Sequence, residues 1–284
     1  MGDYQIAQKA AEVLRKKHDK PFFLSVGIFR PHVPMFVPQK WFDMYDKDKI
    51  TMPNNPISDL DDLPPNFKGR LNIEPIHDDV LKKGDWRGMV QAYLACVSFA
   101  DHCVGEIMKG LNEGPNKENT IIVLWSDHGF HLGEKQKWAK RTLWEESTRT
   151  PLMISGPNIK AGKCNEAVSL LDIFPTLVEF IGVNKPEQLD GLSLVPQLNN
   201  PETKRERPVL TSSYFGNHSI RTKRWRYIRY KDGAEELYDH NADPNEFKNL
   251  AKNPEYKEIK ETLANHLPKN AAPEVKRSKS KRKK

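Results

Sequence analysis

The segment that decides the fold is TIIVLWSDHG, which occupies residues 120–129. Its first six residues are apolar or β-branched, a composition typical of a strand that is covered on both faces of a sheet. Polar residues begin at Ser126, directly after this strand. Ligands of parallel α/β sheets bind outside the carboxyl ends of the strands, so Asp127 and His128 are candidates for a binding site.

The sequence on either side alternates between helical and strand patterns. Helices are predicted over 6–14, 90–111 and 173–181, the last with Asp172 as its N-cap. Further strands are predicted over 22–28, 151–155 and 166–170. This alternation predicts an α/β fold with a mostly parallel sheet and flanking helices.

After residue 208 the pattern changes to short strands separated by turns. These strands are predicted over 209–214, 219–222, 225–230 and 236–238, and a closing helix over 256–267. They indicate a small antiparallel C-terminal sub-domain. We therefore expect an α/β region at 1–205, an α+β sub-domain at 206–268 and a disordered basic tail at 269–284.

Composition excludes several classes of protein. The 284 residues carry a formal charge of +7, but residues 276–284 hold seven Lys or Arg and no acid, so the rest of the chain sums to zero. The basic charge therefore describes a tail and not a nucleic-acid-binding face. The longest apolar run, residues 22–29, is far below the roughly 18 residues of a membrane span. Cys96 and Cys103 fall on one predicted helix, too far apart for a disulfide, and the first residues show no signal peptide.

The residues that follow the predicted strand at 120–125 are of types that can bind a cation and an anion. An Asp supplies the hard oxygen that Ca²⁺ or Mg²⁺ prefers, and a neighbouring His can ligate a metal or donate a hydrogen bond. Two ligands are too few for an ion that takes six or more, so others must come from elsewhere. Several Lys and Arg follow, and Gly129 and Gly133 let the backbone approach a ligand, which predicts an anion pocket. In the alternative interpretation, Asp127 caps a turn and His32 and His128 are structural.

Several motifs, in order, resemble the sulfatases, and most closely the iduronate-2-sulfatase-like branch. They are SDHGFHLGE at 126–134, WAKRTLWEES at 138–147, RPHVP at 30–34, LDGLSL at 189–194, and ELYD at 236–239 with DPNE at 243–246. The similarity extends over residues 3–268. The resemblance implies an alkaline-phosphatase-like fold and hydrolysis of sulfate esters with one Ca²⁺ and a formylglycine made from Cys or Ser.

The same resemblance implies roles for four residues. Asp127 and His128 would ligate the metal. Lys140 would contact the sulfate oxygens, and His32 would contact the sulfate or the departing oxygen. The substrate would be a sulfated carbohydrate or a small sulfate ester, and the location would be periplasmic or secreted.

The chain departs from the family pattern at the nucleophile. No Cys or Ser is followed by x-Pro-x-Arg, and the paired Asp residues of the family's N-terminal region are missing. Lys135 stands where relatives often carry His. The chain therefore resembles the C-terminal part of a sulfatase, supplying part of the metal and sulfate site and inactive alone. The alternatives are a non-catalytic module that binds sulfated or polyanionic glycans, and a phosphate or phosphonate ester hydrolase.

Overall fold

The computed structural model describes residues 1–65, 76–270 and 274. In chain order the described helices and strands are α1 (Gly2–Leu14), α2 (Gln39–Phe42), α3 (Ile76–Lys82), α4 (Trp86–Glu113), β1 (Ile122–Trp125), β2 (His131–Leu132), β3 (Trp138–Ala139), α5 (Glu145–Thr148), β4 (Leu152–Ser155), α6 (Ile173–Ile181), α7 (Val195–Asn199), β5 (Val209–Ser212), β6 (His218–Arg221), β7 (Trp225–Arg229), β8 (Glu235–Asp239) and α8 (Lys257–Ala264). No described helix is long and apolar enough to cross a membrane.

Helices α1 and α4 form a tightly packed pair. A Cβ atom at Gly110 would meet the backbone and side chain of Ala11 at less than van der Waals distance, so the glycine permits the close approach. Ala7, Phe99 and Cys103 lie in the buried cluster between the two helices. Both helices were predicted from their apolar spacing, and the structure confirms them. Cys96 and Cys103 are free thiols on α4, as their spacing predicted.

The decisive strand forms β1 and pairs with β4. The pairing is antiparallel, with Leu124 opposite Met153 and Trp125 opposite Leu152. The expectation of a mostly parallel sheet is therefore wrong for the described residues, whose strand pairs are all antiparallel. A parallel pair would need a second strand beside β1, and the described residues supply only β4.

Two predicted strands are absent from the described structure. Residues 22–28 run without a strand partner, and the side chain of Phe23 is 83% exposed. An apolar run becomes a strand only where a neighbour takes up its backbone hydrogen bonds, and none of the described residues does so here. The segment 166–170 is irregular, and at its end the Ser169 hydroxyl and the Asp172 carboxylate form a capping box that starts a short helical turn at Leu170–Asp172.

The C-terminal strands form one four-stranded antiparallel sheet in the order β5, β6, β7, β8, as predicted. One face packs Ile228, Tyr230 and Tyr238 against Leu143 and Trp144 of the preceding region. The opposite face packs Ile220, Tyr227 and Leu237 against Leu263 of α8 and Ala251. Residues 276–284 of the predicted basic tail lie outside the described residues.

Candidate active site

Asp127 and His128 lie where β1 ends, as the sequence predicted. Ser126 donates its backbone N–H to the Pro151 carbonyl (3.4 Å), the last contact along the β1–β4 pair. Its hydroxyl donates to the His128 carbonyl (3.0 Å), and Gly129 donates to the Ser147 carbonyl (2.9 Å). These bonds turn the chain out of the strand and leave the Asp127 side chain 81% exposed.

The hydrogen bonds of His128 fix its tautomer. Nδ1 lies 2.7 Å from the Gly129 carbonyl, which can only accept, so Nδ1 carries the proton. Nε2 then holds a lone pair, and the Lys140 ammonium donates to it at 2.6 Å. Nε2 also lies 3.4 Å from Asp127 Oδ2. The structure therefore brings together three of the four residues that the sequence singled out.

The converging Asp127 oxygen and His128 nitrogen fit two ligands of one divalent cation. Two ligands placed about 2.4 Å from an ion and at right angles to each other lie about 3.4 Å apart. The 3.4 Å separation of Oδ2 and Nε2 meets that condition. The unprotonated Nε2 is the form of histidine that binds metals, and a cation bound there would take the single lone pair that accepts from Lys140 in this structure.

Lys140 reaches His128 because a short hairpin folds back along the chain. Strands β2 and β3 pair His131 with Ala139 and Leu132 with Trp138, so Lys140, the residue after β3, returns beside the residues that precede β2. Gly133 lies in the turn at φ 121°, where a Cβ atom would lie 2.8 Å from the Trp86 ring. The turn therefore requires glycine for both reasons.

His32 lies in a separate loop that is anchored on α1. The Asp3 carboxylate accepts backbone N–H bonds from Phe29 (3.2 Å) and Arg30 (3.1 Å), which fixes the start of this loop. The Nδ1 atom of His32 bonds to the Val33 carbonyl (2.6 Å), and its ring packs on Phe29. The contacts of His32 are thus within its own loop, and the structure does not join it to the group formed by Asp127, His128 and Lys140.

Beneath the hairpin lies a buried cation, Lys135. Its ammonium donates to Asp59 (2.9 Å) and to the Glu246 carbonyl (2.5 Å), and it sits over the rings of Trp144 and Tyr238. Sequence reasoning left the role of this position open, because relatives often carry His there. The structure makes Lys135 a cross-link between the hairpin and the C-terminal sheet.

Two titratable groups, the buried His131 and the partly buried Glu146, flank this cross-link, and their pKa values shift in opposite directions. Burial lowers the pKa of His131 to about 3, so this imidazole is neutral at physiological pH. Burial and the nearby Glu246 charge raise the pKa of Glu146 to about 7. Both side chains also hold a buried polar atom with no hydrogen-bond partner among the described residues, His131 Nδ1 and Glu146 Oε2.

A second cluster of metal-ligand residue types is joined to Lys135 through the Glu246 carbonyl and includes none of Asp127, His128 and Lys140. Ligand atoms of Glu145, His240 and Glu246 lie within 4.8 Å of one another. The buried Arg226 guanidinium donates to both carboxylates. His240 uses both ring nitrogens, one toward Arg221 (2.8 Å) and one toward Glu246 (2.8 Å).

The charges of this cluster are already compensated. Burial disfavours the Glu246 carboxylate, but the Arg226 charge, the contact with His240 and the bond from the Glu145 N–H together outweigh that effect and lower the pKa of Glu246. We interpret the cluster as a structural connection between α5 and the C-terminal sheet. Sequence reasoning missed it, because Glu145 and Glu246 are 101 residues apart in the sequence and no local spacing relates them.

Comparison with known proteins shows the family to which this chain belongs. The family model described as Sulfatase matches residues 1–183, and the model described as N-sulphoglucosamine sulphohydrolase, C-terminal, matches residues 133–272. The chain belongs to the sulfatase family. Members of this family generally bind a divalent metal.

Individual relatives agree with this assignment. A sulfatase of Formosa agariphila is 42% identical over 275 residues, which cover 96% of this chain and 54% of the relative. A choline-sulfatase of Rhizobium meliloti is 35% identical, with coverage of 87% and 50%. The chain thus spans about half the length of the curated relatives it matches.

Solved structures confirm the predicted α/β fold of the alkaline-phosphatase-like type. The structure of a protein in complex with its substrate D-glucosamine-2-N,6-O-disulfate superposes with a TM-score of 0.72 at 24% identity. That comparison covers 93% of this chain and 68% of the other. At this identity the likeness concerns the fold alone.

Proposed function

We propose that this chain is the part of a sulfuric ester hydrolase that supplies one side of the metal and sulfate site. Asp127 and His128 are the metal ligands. Lys140 binds the sulfate oxygens, and His32 contacts the sulfate or the departing oxygen. The observation that carries this proposal is the convergence of Asp127 Oδ2, His128 Nε2 and Lys140 Nζ at the end of β1.

The chemistry of these groups suits the reaction. When bound, a divalent cation, which we propose to be Ca²⁺, polarises the sulfuryl group. Lys140 holds a fixed positive charge where negative charge develops on the ester oxygens, an arrangement that favours the transition state over the ground state. His32 can protonate the leaving oxygen if its loop faces the ester.

The remaining groups of the site come from outside this sequence. It contains no Cys or Ser followed by x-Pro-x-Arg, so we infer that the nucleophile and further metal ligands belong to polypeptide that completes the fold. Two surfaces support this inference. Residues 22–28 have no strand partner among the described residues, and β1 and β4 expose Trp125 (46%) and Met153 (55%). A further strand would cover both surfaces.

The substrate that we propose is a sulfated carbohydrate or a small sulfate ester. The C-terminal family match carries the name of a sulfoglucosamine hydrolase, and one relative is named for choline sulfate. Within the family we place the chain in the iduronate-2-sulfatase-like branch, from the motifs around His32, Lys140 and Asp190. By the same resemblance we propose a periplasmic or secreted location, and a boundary between the two parts of the fold at residues 205 and 206.

A chimera tests the proposal. The portion of the Formosa agariphila sulfatase that this chain does not match would be joined to this chain and produced in a host that forms formylglycine. We expect the chimera to hydrolyse an aryl sulfate and the present chain alone to hydrolyse none. Asp127→Asn and His128→Ala should raise the Ca²⁺ concentration needed for half-maximal rate, because each removes one ligand.

Each outcome bears on one interpretation. Turnover by the present chain alone, lost in His128→Ala, would contradict the inferred incompleteness. A correctly folded, formylglycine-containing chimera that hydrolyses a phosphonate monoester but no sulfate ester would replace the sulfatase assignment with the phosphonate one. A chimera that binds a sulfated glycan without hydrolysing any ester would favour the non-catalytic module.

A further inference from the structure

The hairpin that brings Lys140 to His128 has a short ladder. Only two residue pairs join β2 to β3, His131 with Ala139 and Leu132 with Trp138. A slip by one residue would turn every side chain of a strand to the opposite face, Lys140 included. Within the hairpin, the Gly133 N–H also donates to the Lys137 carbonyl (3.0 Å). Contacts from outside the hairpin add to this short set of bonds.

The backbone of the hairpin is also strained. Lys135 (φ 51°), Gln136 (φ 53°), Ala139 (φ 65°) and Arg141 (φ 77°) all take the left-handed conformation that favours glycine. Such residues persist only where the surrounding structure holds them, and they cluster at functional sites. Two of them, Ala139 and Arg141, flank Lys140 directly.

His77 of α3 contacts both indoles that hold the hairpin. Trp138, a member of the second strand pair, donates its Nε1–H to His77 Nδ1 (3.1 Å). Trp86 donates its Nε1–H to the carbonyl of Leu132, the other member of that pair (2.6 Å). The His77 ring packs edge to face on Trp86, with ring centroids 5.4 Å apart. One buried imidazole thus supports both members of the pair that sets the register.

The protonation of His77 suits this role. Because Nδ1 accepts from Trp138, the proton of the neutral ring lies on Nε2. Nε2 is 3.2 Å from the Asn55 amide. Turning that amide places its oxygen toward Nε2–H and gives a partner to a buried oxygen that otherwise lacks one among the described residues. Burial lowers the pKa of His77, which keeps the acceptor nitrogen free.

We propose that His77 is a positioning residue, which holds the β2–β3 hairpin through Trp138 and Trp86 and so aims Lys140 at the end of β1. The inference rests on the proposed function in one respect, namely that Lys140 is the group that contacts the sulfate. The positioning itself is measurable in this chain without catalysis.

The test uses the full chain and three variants. His77→Phe keeps a ring against Trp86 but removes the acceptor, Trp138→Phe removes the donor, and the double variant removes both. We measure amide hydrogen exchange at Gly133 and Ala139, whose positions in the hairpin are paired across the two strands or bonded across the turn, and the ¹⁵N shifts of the His128 imidazole. Each single variant should speed exchange about tenfold, the effect of losing one buried hydrogen bond, and the double variant should add little more. The His128 Nε2 shift should change as Lys140 moves away.

Two controls separate positioning from general destabilisation. Exchange at the amides of β6 and β7 should stay within about twofold of the parent chain, because that sheet has its own core. His77→Asn places an amide oxygen near the position of Nδ1, and it should restore slow exchange at Ala139 and the parent His128 shift.

The proposal is overturned if the His77→Phe hairpin exchanges as slowly as the parent, or if exchange rises equally in β6 and β7. It is also overturned if the effects of the two single variants add in the double variant. If the hairpin loosens as expected but Lys140→Ala leaves the chimera's sulfate hydrolysis unchanged, the proposed function fails while the positioning role stands.

Discussion

The two sheets that begin at residues 122 and 209 achieve burial in different ways. In the C-terminal sheet both faces are covered, and Tyr227, Ile228 and Leu237 have no exposed surface. In the β1–β4 pair no residue is fully buried, and Trp125 and Met153 are largely exposed. The apolar strand β1 is therefore less buried than the strands of the C-terminal sheet. The described residues of the C-terminal sheet are thus covered on both faces, whereas those of β1 and β4 leave large apolar side chains exposed.

The largest expected effect concerns the charges that join the two regions. Arg226→Met leaves the Glu145 and Glu246 carboxylates without their main partner, and we expect a loss of about 3–5 kcal/mol in unfolding free energy. Urea denaturation measures it. Arg15→Met is the control, because Arg15 pairs with Glu113 where both side chains are exposed to solvent, and its removal should change stability little. Equal losses in both variants would contradict the importance of the buried connection.

The next largest expected effect compares side-chain truncation in the C-terminal sheet with truncation in the β1–β4 pair. Leu237→Ala empties a fully buried site in the C-terminal sheet and should cost about 2–5 kcal/mol. Ile154→Ala, in the half-buried β4 strand, should cost clearly less, because solvent already reaches that side chain. The same denaturation experiment measures both. A larger loss for Ile154→Ala would mean that β1 and β4 are the better-packed region.

The pH dependence of stability separates two neighbouring buried groups. The pKa of His131 lies below its unfolded value, so the unfolded chain binds the extra proton and stability falls as pH drops from 6.5 toward about 3. The pKa of Glu146 lies above its unfolded value, so its contribution rises as pH drops from about 7 to 4.5. The contribution of each group to the slope of unfolding free energy against pH is at most about 1.4 kcal/mol per pH unit.

Single variants resolve these opposing slopes. Relative to the parent, His131→Gln should weaken the loss of stability with acid, and Glu146→Gln should strengthen it. Denaturation midpoints measured between pH 4.5 and 7 provide the comparison. Parallel pH profiles for the parent and both variants would contradict the two pKa shifts.

The smallest effect on stability is expected at the unpaired segment. Phe23→Ser should change the unfolding free energy by about 0.5 kcal/mol or less, since the side chain is already exposed. It should nevertheless reduce self-association of the isolated chain, measured by sedimentation, because it removes part of an uncovered apolar surface. Lys16→Ser is the control, because Lys16 is an exposed polar residue close to Phe23 in the sequence. It should leave self-association unchanged.

Sequence reasoning succeeded where the signal is local and failed where it depends on distant partners. The apolar spacing of α4 and the alternating C-terminal strands predicted those elements, because each buries a face that its own residues define. The position of Asp127 and His128 followed from the end of a strong strand. Residues 22–28 carry an equally strong apolar signal, but a strand also needs a neighbour, which local pattern does not report.

The approach of Lys140 to His128 was predicted only through family resemblance. Its physical basis is the register of a two-pair hairpin, which depends on Trp86, Trp138 and His77 from three separate elements. The buried pair of Lys135 and Asp59 spans 76 residues and is equally invisible to local spacing. Contacts of this kind require the folded structure.

The most direct measurement of the central claim is kcat/KM for an aryl sulfate in the completed chimera carrying Lys140→Ala. If Lys140 stabilises charge that develops on the ester oxygens, the value should fall by about 10²-fold or more. Lys163→Ala, at an exposed position, should leave it unchanged. A Lys140→Ala chimera that folds correctly and retains the parent kcat/KM would contradict the assignment of this residue to the site.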